Sequence, residues 1–210
     1  MTGKVFVFEG LDYSGKSSTI SYCFEQLKEK HKVVTYRNPG GTNLGEKVRD
    51  IARIETKDTE EQLLAYLLAI VSVKNQVLND IKNNKIVLLD RWLLSTIAYQ
   101  VMLLESNTKQ KAYTSLIHKY LQELPVHFLI FDLSFMEMMD RIEKVKKTDT
   151  VDRFDSSDIE YKINIYSNYQ MATLDLKKTF LSEITIVKSE SSLELLQAKV
   201  LKLIEENLKK

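Results

Sequence analysis

Residues 5–19 read VFVFEGLDYSGKSST. Val5 to Phe8 are apolar and either β-branched or aromatic, which predicts a short buried strand with Glu9 at its edge. Gly10-Leu11-Asp12-Tyr13-Ser14-Gly15-Lys16-Ser17 then completes the pattern G-x-x-x-x-G-K-[ST]. From about Lys16 to Lys30 the sequence reads as helix. Gly10 and Gly15 permit the tight path that turns backbone N–H groups inward onto phosphate oxygens. The new helix aims the positive end of its dipole at the same point. Lys16 adds a full charge near the β- and γ-phosphates, and the Ser17 hydroxyl is placed to ligate Mg²⁺. An ordinary glycine turn is the competing reading. The pattern here sits between strand and helix, as phosphate binding requires.

Composition sets the frame around this loop. A chain of 210 residues, 44% hydrophobic and 28% charged, suits one large domain with a real core, or a domain carrying a small lid. A net charge of +1 supplies no global field to draw in nucleic acid or a membrane surface. The single cysteine, Cys23, cannot form an internal disulfide and fits a reducing compartment. The start MTGKVFVFEG has no apolar signal core. The longest apolar stretch, Leu63–Val73, falls short of the roughly 20 residues that cross a bilayer. A soluble cytoplasmic protein is the expectation.

Short apolar strands alternate with helices along the chain. Lys32–Tyr36 reads as the second strand and runs into the turn-rich Arg37-Asn-Pro-Gly-Gly-Thr42. A helix from about Leu44 to Ile54 follows. Thr59-x-x-Gln62 reads as a capping box opening a long helix to about Asn83. That helix is apolar on every side around Leu63, Leu64, Leu67, Leu68, Ile70 and Val71, which predicts burial in a core or against a partner subunit. Ile86–Asp90 is the third strand. Helices are expected over about Trp92–Glu105, Thr108–Gln122, Phe135–Lys147 and up to about Phe180. Strands are expected at Val126–Phe131 and Ile184–Val187, with a closing amphipathic helix carrying Leu193, Leu196, Val200, Leu203 and Ile204. This order implies an α/β fold: a five-stranded parallel sheet covered on both faces, with its site at the carboxyl ends of the strands.

The chemistry-bearing residues fall just after those strand ends. Asp90 closes an apolar strand, either as a carboxylate that holds Mg²⁺ or as a helix N-cap. Arg37 and Arg91 each offer a planar fork that matches a phosphate, or else a surface ion pair. Arg141, Lys144, Lys146, Lys147 and Arg153 form a second basic cluster. It reads either as a solvated helix face or as a lid that brings charge to a transferring phosphoryl group. The three histidines suggest no metal or catalytic grouping, and Cys23 reads as core.

The segments FEGLDYSGKSST, RNPGGTNLGEKVRD, DRWLLSTIAYQ and DRFD, in this order, resemble the thymidylate kinase family of the bacterial type. The likeness runs from Val5 to about Ala172; beyond it only the strand–helix pattern agrees. The resemblance implies a three-layer P-loop NTPase fold as a single domain over residues 1–210, with a helical lid over about 141–155. It implies transfer of phosphate from ATP, with Mg²⁺, to dTMP, in a homodimer without nucleic-acid or membrane partners. ATP would lie on Gly10, Leu11, Asp12, Tyr13, Ser14, Gly15, Lys16, Ser17 and Ser18, with Arg153 near the adenine or the phosphates. Ser17 and Asp90 would hold the metal. Asp12 would face the sugar 3′-hydroxyl, Arg37 and Arg91 the acceptor phosphate, and Tyr99 the 2′ position. Ser95, Thr96 and Gln100 would line the base side. Lys16, Arg91, Arg141 and Lys144 would carry the catalytic charge. Tyr13 stands where some members have an arginine, which shifts cationic duty to the lid. The alternatives are a kinase of the same fold acting on another deoxynucleoside monophosphate, and a non-catalytic nucleotide-binding regulator.

One departure concerns the base. The resemblance implies an aromatic residue stacked on thymine and an arginine one helical turn later. Tyr66 can stack, but Ile70 stands four residues on, and Leu63–Val73 holds no arginine. Either Lys74 or Gln76 is the expected substitute, or the alignment shifts by a turn.

Overall fold

The computed structural model describes residues 3–52, 58–146, 158–179 and 184–209. Lys147, Arg153 and the lid beyond residue 146 lie outside the described residues. The elements are β1 (Lys4–Gly10), α1 (Lys16–Leu27), β2 (Val33–Arg37), α2 (Asn43–Asp50), α3 (Thr59–Lys82), β3 (Ile86–Asp90) and α4 (Leu93–Tyr99). A 3-10 turn, Val101–Leu103, leads to α5 (Asn107–Gln122), β4 (Val126–Asp132), α6 (Phe135–Lys146), α7 (Ile159–Thr179), β5 (Ile184–Lys188) and α8 (Leu193–Leu208).

The five strands form one sheet in the order β2-β3-β1-β4-β5, every pair parallel. Side chains alternate across it. Val5 and Val7 of β1 join a core with residues of α3, α4, α5 and α7, while Phe6 and Phe8 join a second core with α1 and α8. These are the three layers implied by apolar strands that bury both faces. Cys23 is fully buried in the second core, where burial pushes its thiol up to about 12. Among the described residues no helix is long and apolar enough to cross a membrane.

The register places the chemistry. Phe8 of β1 pairs with Asp90, and so does Arg37 of β2. The carboxyl ends of three adjacent strands therefore deliver the phosphate loop, Arg37, Asp90 and Arg91 to one edge.

Three local expectations change. β1 extends through Glu9, which is fully buried rather than at an edge. The cap of α3 is Asp58, whose side chain accepts from the Glu60 and Glu61 amides; Thr59 is already helical, and Gln62 is released from capping. Lastly, α3 is not covered on every side. Leu63, Ile70, Val73 and Val77 are fully buried, but Leu64 and Leu68 stay 52% and 49% exposed. The sheet covers one face of the helix and leaves the opposite apolar face open.

Candidate active site

The phosphate loop follows β1 as expected. Gly10 has φ +151°, and a Cβ there would sit 2.8 Å from the Phe131 carbonyl oxygen. Gly15 has φ +86° at the start of α1. Tyr13 adopts φ +64° without being glycine, at a cost of about 1–3 kcal/mol. Arg141 of α6 donates from Nη1 to the Tyr13 carbonyl oxygen at 2.7 Å and holds this turn. The cation expected on the lid is thus bonded to the loop itself. Lys144 is exposed and lies outside the cleft wall.

Lys16 is buried and folded back on its own loop. Its Nζ donates to the Leu11 carbonyl at 2.6 Å and to Ser14 Oγ at 3.2 Å. Burial lowers its pKa to about 8, and the Arg91 charge adds to that; Asp12, Asp90 and Glu9 pull the other way. Ser17 Oγ donates to Asp90 Oδ2 at 3.0 Å. Asp90 Oδ1 is buried with no hydrogen-bond partner among the described residues. The helix-cap reading of Asp90 fails, because Trp92 occupies the cap of α4. A hydroxyl beside a carboxylate with one oxygen unused is a donor set that suits Mg²⁺, which takes one or two protein oxygens and completes its shell with water and phosphate. Among the described residues no group of three or more His, Cys, Asp and Glu could hold a metal by itself.

Across the cleft Arg91 takes φ +61°, its amide donating to the Phe8 carbonyl at 3.0 Å. Its guanidinium bonds Asp12, Ser95 Oγ (2.9 Å) and the Gly10 carbonyl (3.1 Å). Burial alone would raise the Asp12 pKa, but the Arg91 and Lys16 charges and the Tyr99 hydroxyl hold it below the usual carboxylate range. Tyr99 donates to Asp12 Oδ2 at 3.1 Å; burial first, and then the Asp12 charge, keep the phenol protonated. Arg37 pairs through both ends of its fork with Glu46, at 3.2 and 2.7 Å, and Glu46 also accepts from the Gly41 amide.

Glu9 underlies this arrangement. It accepts from the Trp92 amide (2.7 Å), the Ser95 amide (3.2 Å), Ser95 Oγ (2.6 Å) and the Tyr169 hydroxyl (2.7 Å). Two backbone donors and two hydroxyls satisfy a carboxylate that would otherwise be costly to bury. The Ser95 hydroxyl is therefore engaged between Glu9 and Arg91. Ser95 does border the expected base side, but its hydroxyl serves the arginine.

The loop and the arginines share one cleft of about 910 Å³, whose wall includes Asp12, Lys16, Ser17, Arg37, Tyr66, Asp90, Arg91, Tyr99 and Gln100. A smaller recess of about 170 Å³ is lined by Tyr66, Ser95, Thr96, Tyr99 and Gln100 with Asp12, Arg91, Asn38 and Pro39. Lys74 and Gln76 line neither. Lys74 bonds Glu123 at 2.5 Å and lies over the Tyr120 ring, and Gln76 interacts with Tyr36. Both expected substitutes for the base-reading arginine are thus turned away. The cleft wall instead includes Arg49, Gln62 and Tyr161. Arg49 had a legible signal: it stands three residues after Glu46 on α2, hence on the same helix face. Gln62 and Tyr161 had none, because only tertiary folding brings α3 and α7 to this wall.

The thymidylate kinase family profile matches residues 8–200. The thymidylate kinase of Caldicellulosiruptor saccharolyticus is 30% identical over 214 aligned positions that span all of both chains. Two solved structures share the fold. The thymidylate kinase of Ehrlichia chaffeensis has a TM-score of 0.66 at 23% identity, covering 98% of this chain and 100% of that one. That of Candida albicans has a TM-score of 0.69 at 18% identity, covering 98% and 92%. With a family profile over nearly its whole length and a full-length relative at this identity, the chain belongs to the thymidylate kinase family.

Proposed function

We infer that the protein transfers the γ-phosphoryl group of ATP to the phosphate of dTMP, giving dTDP and ADP. Beside family membership, the observation that carries this reading is the single cleft in which a phosphate loop faces a second set of anion-binding arginines. One end suits a triphosphate and the other a monophosphate.

The acceptor is a phosphate oxygen that is already anionic at pH 7, so no general base is needed. Catalysis rests on alignment and charge neutralisation. Residues Gly10 to Ser18 cradle the ATP phosphates, and Lys16 exchanges the Leu11 carbonyl for phosphate oxygens. Ser17 and Asp90 would hold Mg²⁺, which when bound would supply positive charge to neutralise the donor phosphates. Arg37 and Arg91 grip the acceptor phosphate; Arg91 reaches it from a position fixed by Asp12, Ser95 and the Gly10 carbonyl. Asp12 meets the sugar 3′-hydroxyl, and Tyr99 fills the space of a 2′-hydroxyl. Tyr66 stacks on the base. Lys144 and Arg153 bring lid charge to the transferring group. The chain acts as one domain, and the lid expected over about 141–155 has its first residues in α6 and the rest outside the described residues. It works in the cytoplasm as a homodimer through the open face of α3, where Leu64 and Leu68 await cover.

A coupled ADP-release assay over a panel of nucleoside monophosphates tests the reading. The expected result is Mg²⁺-dependent turnover with dTMP used best. Turnover confined to another nucleotide, or none at all, would overturn it.

A further inference from the structure

Gln100 is 6% exposed and lines the smaller recess. Its Nε2 donates to Gln62 Oε1 at 3.3 Å, and Gln62 Nε2 donates to the Ala52 backbone carbonyl at 3.0 Å. This relay has a direction. A backbone carbonyl only accepts, so the end of Gln62 that meets Ala52 must be its NH₂. The Gln62 oxygen then meets Gln100, and the end of Gln100 that meets it must in turn be NH₂. The Gln100 carbonyl oxygen is on the opposite side of its amide and makes no hydrogen bond among the described residues. Elsewhere in the recess Arg91, Asp12 and Tyr99 bond one another and Ser95 bonds Glu9, while Asn38 Oδ1 is a second buried acceptor without a partner among the described residues.

We propose that Gln62 is a positioning residue that locks the Gln100 carboxamide, so that the recess takes a base with an N–H at ring position 3 and refuses cytosine. The proposal rests on the acceptor being a pyrimidine deoxynucleoside monophosphate. Thymine and uracil present N3–H as a donor beside the acceptor at position 4. A carboxamide whose oxygen meets N3–H and whose remaining N–H meets that carbonyl satisfies both. Cytosine reverses the pattern, with an acceptor at N3 and donors at N4. To pair with it the Gln100 amide must turn over, which sets its oxygen against Gln62 Oε1, breaks the relay and leaves two buried acceptors opposed. Discrimination then comes from a hydrogen-bonded pocket without an arginine. The recess does not distinguish thymine from uracil by this device, because both show the same edge.

The test is kcat/KM for dTMP, dUMP and dCMP with wild type, Gln62→Met and Gln62→Glu. Methionine keeps the length of the side chain and removes the relay. The dTMP:dCMP ratio should fall at least about tenfold, while kcat for dTMP stays within about threefold. Glutamate gives up the bond to the Ala52 carbonyl but is acceptor-only toward Gln100 Nε2 and still refuses the turned amide, so Gln62→Glu should hold the ratio near that of wild type. In every variant dUMP should follow dTMP. An unmoved ratio in Gln62→Met would overturn the proposal. So would a Gln62→Glu ratio that falls as far, since that marks a packing role only. If Gln62→Met does not fold, Gln62→Glu decides: a retained ratio supports the lock and a collapsed one removes it. A wild type inactive on dTMP would remove the kinase reading as well, whereas an active wild type with an unmoved ratio removes this inference alone.

Discussion

Lys16 shows how much the state of one side chain can set. Its pKa of about 8 reflects burial first and then the neighbouring Arg91 charge. Below about pH 8 it is charged in the free protein and ATP meets a ready cation. Above that pH it is neutral, so ATP binding must take up a proton, and affinity falls as pH rises. The apparent KM for ATP should therefore climb through about pH 8, measured with dTMP saturating; a flat profile from pH 7 to 9.5 would mean that Lys16 keeps its ordinary pKa. Lys16→Ala should lower kcat at least about a hundredfold, the usual loss for one pre-placed charge. In the proposed reading Tyr99 excludes a 2′-hydroxyl by its bulk, held in place by its bond to Asp12. Tyr99→Phe should keep most of the preference for deoxyribonucleotides and Tyr99→Ala should relax it, read from kcat/KM for dTMP against its ribonucleotide counterpart.

Among elements, those whose information is local were legible in the sequence. The loop, the strand ends and the order of strand and helix depend on short patterns, and all five strands lie within about two residues of where the apolar runs put them. What the sequence hid was reach across the fold. Nothing near Glu9 says that its carboxylate will sit under the turn after β3, and nothing near Arg141 says that it will bond Tyr13. The cap of α3 slipped by one residue because Asp58 competes with Thr59 for the same role and accepts two amides. The bond from α6 to the loop separates two cations that look alike in sequence. Arg141→Ala should lower kcat and also raise the KM for ATP, since it frees the strained Tyr13 turn. Lys144→Ala should lower kcat with that KM nearly constant, as for a charge met only in the transition state. Steady-state kinetics in both substrates separates the two patterns.

For the molecule as a whole, the open face of α3 carries the expectation about assembly. Leu64 and Leu68 lie one turn apart, with neither covered by the chain's own sheet. Light scattering at micromolar concentration should give about twice 24.4 kDa. Leu68→Asp should shift the mass toward that of the single chain. A wild type that stays at 24.4 kDa would show that the face is simply solvated.

The four donors gathered by Glu9 also bear on how the protein breathes. They join β1, the start of α4 and the middle of α7 around one buried carboxylate. The Trp92 and Ser95 amides lie outside any strand ladder, where hydrogens ordinarily wash out quickly. Bonded to Glu9, they can exchange with deuterium only when the start of α4 parts from β1, so their labelling clock should match that of the central strands.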